Sequence, residues 1–114
     1  MKTYTRKYER YPTQREARYF LADSNGNGQA CTIVNICRKG MGIIFHTDVE
    51  IHVGATIRVE VPIKGTSRSI SASGTLQWFD KMEIDMIGGI ELISELTDVQ
   101  LARIDSSKAS LGRP

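Results

Sequence analysis

Several features that mark common protein classes are scarce in this chain of 114 residues. Two cysteines and two histidines are too few and too scattered for a disulfide framework or a zinc site. No run approaches the roughly 20 apolar residues that a membrane-spanning helix needs, and the polar N-terminus does not resemble a secretory signal. We therefore expect a cytoplasmic protein without membrane insertion, with Cys31 and Cys37 both reduced.

Catalytic motifs are also missing. The sequence contains no nucleophile elbow, zinc-protease motif or phosphate-binding loop, and no pair of carboxylates stands near a histidine. The segment from Asp23 to Gly28 matches the first half of a calcium loop, but Val34 occupies the position that requires a glutamate. A turn rich in glycine and asparagine explains the same residues. We predict a protein that is not an enzyme, with no catalytic residue, metal or cofactor.

The chain does contain a regular alternation of apolar and polar residues, which is typical of half-buried strands. The alternation predicts six strands separated by turn residues and joined without intervening helices, which favours an antiparallel barrel or sandwich. In one of them, Leu76 and Gly74 place Trp78 on the core side, and stacking of its indole near a base is the alternative. The predicted strands cover residues 15–22, 29–36, 42–46, 56–63, 69–78 and 84–93.

A single helix is predicted at 97–107, after the last strand. Thr97 and Gln100 have the spacing of a capping box, and Leu96 and Leu101 that of a hydrophobic staple. An apolar stripe that includes Leu96, Val99 or Leu101, Ala102 and Ile104 would cover one opening of the barrel. We predict one domain over 1–114, with a basic segment at 1–14, the barrel at 15–93, the helix at 97–107 and a flexible tail at 108–114.

Positive charge is concentrated at the N-terminus. Residues 1–18 hold six basic and two acidic residues, a net charge of +4, whereas the remainder holds nine basic and eleven acidic residues. Arg6 and Arg10 lie four residues apart, so their guanidinium groups can converge on one phosphate or on the edge of a guanine. A solvated basic tail is the alternative interpretation of the same residues.

A second polar element follows the second predicted strand, from Asn35 to Gly40. The Asn35 amide offers both a donor and an acceptor for a purine edge. Cys37 is small enough to let a ligand approach, and Gly40 permits a backbone angle that other residues resist. An ordinary β-turn would account for these residues equally well when they are taken alone.

Together, the two elements resemble the PilZ family of bacterial receptors for cyclic di-GMP. That family carries R-x-x-x-R, followed some twenty to thirty residues later by [D/N]-x-[S/A]-x-x-G, and here Arg6, Arg10, Asn35 and Gly40 match. Cys37 stands where Ser or Ala is usual, and it is a weaker hydrogen-bond donor than serine. The later segments G-T-L-Q-W and I-G-G-I-E-L resemble the family's last two strands, so the likeness covers residues 4–105.

The resemblance implies an all-β fold, a six-stranded antiparallel barrel with one C-terminal helix. It also implies that the chain binds cyclic di-GMP and relays it to an effector protein by reorienting the N-terminal segment, in motility, attachment or exopolysaccharide production. The predicted ligand-binding residues are Arg6, Lys7, Arg10, Asn35, Cys37, Arg38 and Gly40.

Two other functions remain open. A degenerate family member would act as a protein–protein scaffold without binding a nucleotide. An OB-like barrel would bind single-stranded nucleic acid, but it needs aromatic platforms along a broad basic groove. Here Tyr4, Tyr8 and Tyr11 lie on the basic segment, while the barrel body is net acidic, so nucleic acid fits the sequence less well.

Overall fold

The computed structural model describes residues 11–22, 28–47 and 49–104. It contains six strands and one helix, which confirms the predicted all-β barrel with a C-terminal helix. The strands and the helix are β1 (Tyr11–Leu21), β2 (Gln29–Cys37), β3 (Gly40–Phe45), β4 (Thr56–Pro62), β5 (Ser69–Lys81), β6 (Met86–Leu92) and α1 (Asp98–Ile104).

The strands form a closed barrel in the order β1-β2-β3-β6-β5-β4. Every neighbouring pair is antiparallel, including the pair of β1 with β4 that closes the sheet. Closure removes the unpaired edges that an open sheet would expose. It also decides between the barrel and the sandwich, which the alternation pattern could not separate.

Apolar side chains fill the barrel, and β4 shows the expected alternation most clearly. Ile57, Val59 and Val61 are buried, whereas Thr56 and Arg58 between them are exposed. Phe45 lies near the centre of this core, where its ring packs edge-on against Tyr19 at 4.9 Å between centroids. Burial of such side chains supplies most of the free energy that favours folding.

A β-bulge in β5 reverses the predicted side of Trp78. Leu76 pairs with Ile90 and Trp78 pairs with Gly89, so Gln77 is an extra residue in the ladder. Because one extra residue shifts the alternation, Phe79 turns inward and Trp78 turns outward. Trp78 is 46% exposed. The prediction that its side chain fills the core is therefore wrong.

The first strand begins at Tyr11, four residues earlier than the alternation predicts. Its register with β2 shifts between Pro12 and Arg15, and this irregularity interrupts the period-two pattern. Proline is tolerated at the start of a strand or beside a bulge. Pairing with β2, which the local sequence does not reveal, therefore extends β1 toward the N-terminus.

The helix starts with the capping box that the sequence predicts. The backbone N–H of Gln100 donates to Thr97 Oγ1 at 3.1 Å, and the Thr97 N–H donates to Gln100 Oε1 at 2.9 Å. Leu96, Leu101 and Ile104 join the core, but Val99 is 62% exposed, and Ala102 is exposed as well. The apolar stripe thus uses Leu101 rather than Val99. No helix in the described ranges is long and apolar enough to cross a membrane.

Burial makes one core thiol sensitive to high pH. It raises the pKa of Cys31 from its ordinary value of 9.0 to about 12, because the thiolate would lose its hydration. The protonated thiol is favoured in the folded state, so its contribution to stability is complete below pH 9 and is lost as the pH rises toward 12. We expect this group to lower the free energy of unfolding by about 1.4 kcal/mol between pH 8 and pH 10.

Urea denaturation at pH 8, 9 and 10 measures this loss. The Cys31→Ala variant should be less stable at every pH but should lose less stability as the pH rises. Some pH dependence should remain in the variant, since burial also raises the pKa of Tyr19. Equal slopes for the two proteins would contradict the prediction.

Candidate functional site

The motif from Asn35 to Gly40 folds as the end of the β2–β3 hairpin. Cys37 closes β2 and pairs with Gly40, the first residue of β3, and Arg38 and Lys39 form the turn between them. A second bulge lies just before this turn, between Ile33 and Asn35. Since Ile33 and Ile36 both belong to the core, the half-buried Asn35 lies on the outer face, whereas Cys37 is buried.

The Asn35 carboxamide lies directly over Gly42 of the neighbouring strand. A Cβ atom on Gly42 would come within 2.5 Å of Asn35 Nδ2 and 2.8 Å of Oδ1. Only a glycine leaves room for the amide at this position, because such an approach is closer than real Cβ atoms show. The amide therefore lies close to the backbone of Gly42 and is half-buried.

Two expectations about the turn need adjustment. Cys37 is only 5% exposed, so its side chain offers little surface to a ligand in this structure. Gly40 does not use the left-handed backbone region that the sequence suggested, since the glycines with positive φ in the described ranges are Gly54 and Gly65. The pairing of Gly40 with Cys37 and with Glu91 keeps it in extended conformation.

Arg38 connects the turn to the helix. Its guanidinium forms an ion pair with Asp98, the first residue of α1. The backbone carbonyl groups of Arg38 and Lys39 accept hydrogen bonds from the N–H groups of Leu96 at 2.8 Å and Leu92 at 2.7 Å. The predicted ligand-binding turn is thus joined by three contacts to the segment that leads into and begins α1.

Arg6, Lys7 and Arg10 lie outside the described residues. The residue that follows Arg10 in the chain is Tyr11, whose Cα partner in β2 is Ile36. The next residue, Pro12, is the partner of Asn35. The described chain therefore begins beside the second motif, and not at a distant part of the barrel.

The barrel register places Trp78 in the same row as Asn35, a neighbour that the sequence prediction missed. Across the outer surface, successive Cα partners run from Pro12 through Asn35, Gly42 and Gly89 to Trp78. The indole lies over Gly89, where a Cβ atom would come within 2.2 Å of its Nε1. We call these five residues the cross-strand row.

The cross-strand row carries the Asn35 amide next to Pro12 and the exposed Trp78 ring at its other end. Glycine at two of its positions leaves room for the Asn35 amide and the Trp78 indole to lie against the backbone. A purine base can hydrogen bond to a carboxamide and stack on an indole. The paired glycines Gly88 and Gly89, which interrupt the alternation of β6, were the sequence signal for a close approach here.

The described residues offer little for metal chemistry. They include no group of three or more His, Cys, Asp or Glu side chains arranged to hold a metal ion. Cys31 and Cys37 are both free thiols.

One polar chain runs from Thr32 Oγ1 through His46 to Asp85, with distances of 2.8 Å and 3.3 Å at the two imidazole nitrogens. It ties β2 and the end of β3 to the β5–β6 loop.

Comparison with known proteins agrees with the barrel fold. Residues 4–108 match the family model of the PilZ domain. Among solved structures, the fold is similar to the Bacillus subtilis inhibitor of motility, MotI/DgrA, with a TM-score of 0.67 and 10% sequence identity. The match covers 98% of this chain but 55% of that one, so the chain spans about half the length of this neighbour. No curated protein sequence matches significantly.

Proposed function

Because the chain belongs to the PilZ domain family, we propose that it binds cyclic di-GMP on the outer face of the barrel, at the cross-strand row. The alignment of Asn35, Gly42, Gly89 and Trp78 beside the start of β1 is the observation that supports this site best. The row presents the groups that a guanine needs, and the described chain begins next to it, at Tyr11.

Each residue type has a distinct chemical task in this proposal. The Asn35 amide hydrogen bonds to the edge of one guanine, while Gly42 and Gly89 leave room for the amide and the indole to lie against the sheet. Trp78 offers its ring for stacking, which is worth about 1–3 kcal/mol for a base on an aromatic side chain. Arg6 and Arg10, with Lys7, neutralise the phosphates and pair with the guanine O6 and N7 atoms.

Ligand capture would then reorient the N-terminal segment and present a new surface to an effector protein. Arg38 provides a second way for the ligand to change the surface of the domain. The nucleotide phosphates compete with Asp98 for the Arg38 guanidinium. We propose a cytoplasmic, non-catalytic adaptor that acts through this effector. The structural neighbour is an inhibitor of motility, and we propose regulation of motility, attachment or exopolysaccharide production as the role of this chain.

Titration with cyclic di-GMP tests the proposal. Trp78 is the only tryptophan, so stacking of a guanine on it should change the intrinsic fluorescence in a saturable manner. A Gly42→Ala variant should bind at least about tenfold more weakly, because its methyl group displaces the Asn35 amide and the hydrogen bonds to the guanine are lost.

The matched control is Thr56→Ala, a small change at an exposed position of β4, which should bind like wild type. Isothermal titration calorimetry confirms the affinities, and circular dichroism confirms that both variants are folded. A folded wild type that binds no cyclic di-GMP overturns the proposal and leaves the scaffold as the favoured function. Tight, salt-sensitive binding of oligonucleotides would instead support the OB-like alternative. Unchanged binding by Gly42→Ala would place the ligand elsewhere.

A further inference from the structure

A cleft separate from the cross-strand row lies on the barrel where the β4–β5 turn faces α1. Its volume is about 410 Å³, which is within the range of small-ligand and peptide-anchor sites. Ile63, Ile70 and Val99 form its apolar part, and Arg68 and Arg103 flank them. None of these residues belongs to the cross-strand row or to the β2–β3 turn.

Within the part of the chain that the structure describes, the two arginines of this cleft have no anionic partner. Among the described residues, neither guanidinium forms an ion pair or a hydrogen bond, and no acidic side chain lines the cleft. Arg38 and Arg58, in contrast, each form an ion pair with a carboxylate, Asp98 and Glu60 respectively. The cleft therefore carries two positive charges that an external anion can neutralise.

The backbone on both sides of the cleft is fixed in place. Thr66 Oγ1 accepts a hydrogen bond from the Arg68 N–H at 3.0 Å and donates to the Ile63 carbonyl at 3.1 Å. The Arg103 carbonyl accepts a hydrogen bond from Arg15 Nη1 at 2.9 Å, and Arg15 also donates to the Pro62 carbonyl. Two guanidinium groups thus extend from positions that are anchored to the barrel, which reduces the entropy lost on binding.

We propose that this cleft docks an acidic, apolar segment of a partner protein. A carboxylate of the segment lies between Arg68 and Arg103, where the planar guanidinium groups bind it in bidentate geometry. A neighbouring apolar side chain packs on Ile63, Ile70 and Val99. Val99 supports a macromolecular partner, because this side chain is 62% exposed on the helix face that borders the cleft.

Charge complementarity selects the partner. An apolar segment without acidic residues would leave both guanidinium groups unpaired, while a free anion would leave the apolar surface in water. Only a segment that combines the two properties satisfies both parts of the cleft. The inference does not depend on nucleotide binding, since it uses no residue of the cross-strand row.

The test is an NMR titration of the full chain, labelled with ¹⁵N, with the peptide acetyl-Leu-Glu-Leu-Asp-Leu-amide. We expect it to shift the Nε–Hε signals of Arg68 and Arg103 saturably. The neutral peptide, with Gln and Asn in place of Glu and Asp, should bind about tenfold more weakly, which is the effect of losing a charge-assisted hydrogen bond. An Arg68→Ala/Arg103→Ala variant should lose the binding, and Arg58→Ala, which removes a cation elsewhere, should retain it.

Each contrary result overturns the inference in a different way. Equal binding of the neutral peptide would show an apolar groove without charge recognition. Equal shifts with inorganic phosphate at the same concentration would show a simple anion site. Absence of any shift with the acidic peptide would show that the cleft binds no such segment.

Discussion

Replacement of Gly74 with alanine should lower the free energy of unfolding by about 3 kcal/mol, the upper end of the usual cost of overpacking. Gly74 is buried in β5, where a Cβ atom would lie 2.4 Å from the Glu91 carbonyl oxygen and 2.4 Å from Ile90 Cγ2. The Glu91 oxygen belongs to the backbone of β6, which is held in the closed barrel by pairing on both sides. The methyl group can be accommodated only if that strand moves.

Urea and thermal denaturation, followed by circular dichroism, measure this effect. For a domain of this size, a loss of about 3 kcal/mol corresponds to a fall in Tm of roughly 15 °C. The control is Gly89→Ala, because the three heavy atoms nearest to its Cβ atom would all belong to the exposed indole of Trp78. That ring can swing into solvent, so the control should lose less than about 1 kcal/mol. Equal stability of the two variants would contradict the prediction.

The Arg6→Ala/Arg10→Ala variant should bind cyclic di-GMP more than about a hundredfold more weakly than wild type. Hydrogen bonds to charged groups contribute about 1.5–3 kcal/mol each, and every 1.4 kcal/mol changes the affinity tenfold. The loss of two guanidinium groups that contact phosphates and guanine edges would therefore weaken binding by more than a hundredfold. The effect should be larger than that of Gly42→Ala, which disturbs a single amide.

Isothermal titration calorimetry of both proteins at the same ionic strength measures the difference. Arg58→Ala/Lys64→Ala is the matched control, because it removes the same charge from exposed positions of β4 and the following turn. A control that weakens binding as much as the test variant would show that net charge alone matters. Tight binding by the Arg6→Ala/Arg10→Ala variant would show that the N-terminal segment does not contribute to the ligand site.

Local patterns along the chain predicted most of the fold. The alternation of Ile57, Val59 and Val61 requires a strand with one buried face, and Thr97 with Gln100 defines the start of the helix. These signals are readable because they depend on residues that are close in sequence. The same holds for the motif from Asn35 to Gly40, which folds as a hairpin end because its polar and small residues fit a tight turn.

Bulges and strand partners could not be predicted from local sequence patterns. The bulge at Gln77 turns Trp78 outward, and the bulge before Asn35 sets which side of β2 faces the core. A bulge is stabilised by the partner strand and by the packing beneath it, so one strand read alone does not show it. The early start of β1 at Tyr11 has the same origin, since its pairing partner lies in β2.

The sequence by itself determined the strand periodicity, the helix cap and the two motifs that resemble those of the PilZ family. Tertiary structure alone decided that Asn35, Gly42, Gly89 and Trp78 share one row, that Arg38 reaches Asp98, and that Arg68 and Arg103 flank one cleft. The physical reason is that register and barrel closure join residues far apart in the chain, and the free energy of packing selects those pairings only when all six strands are present.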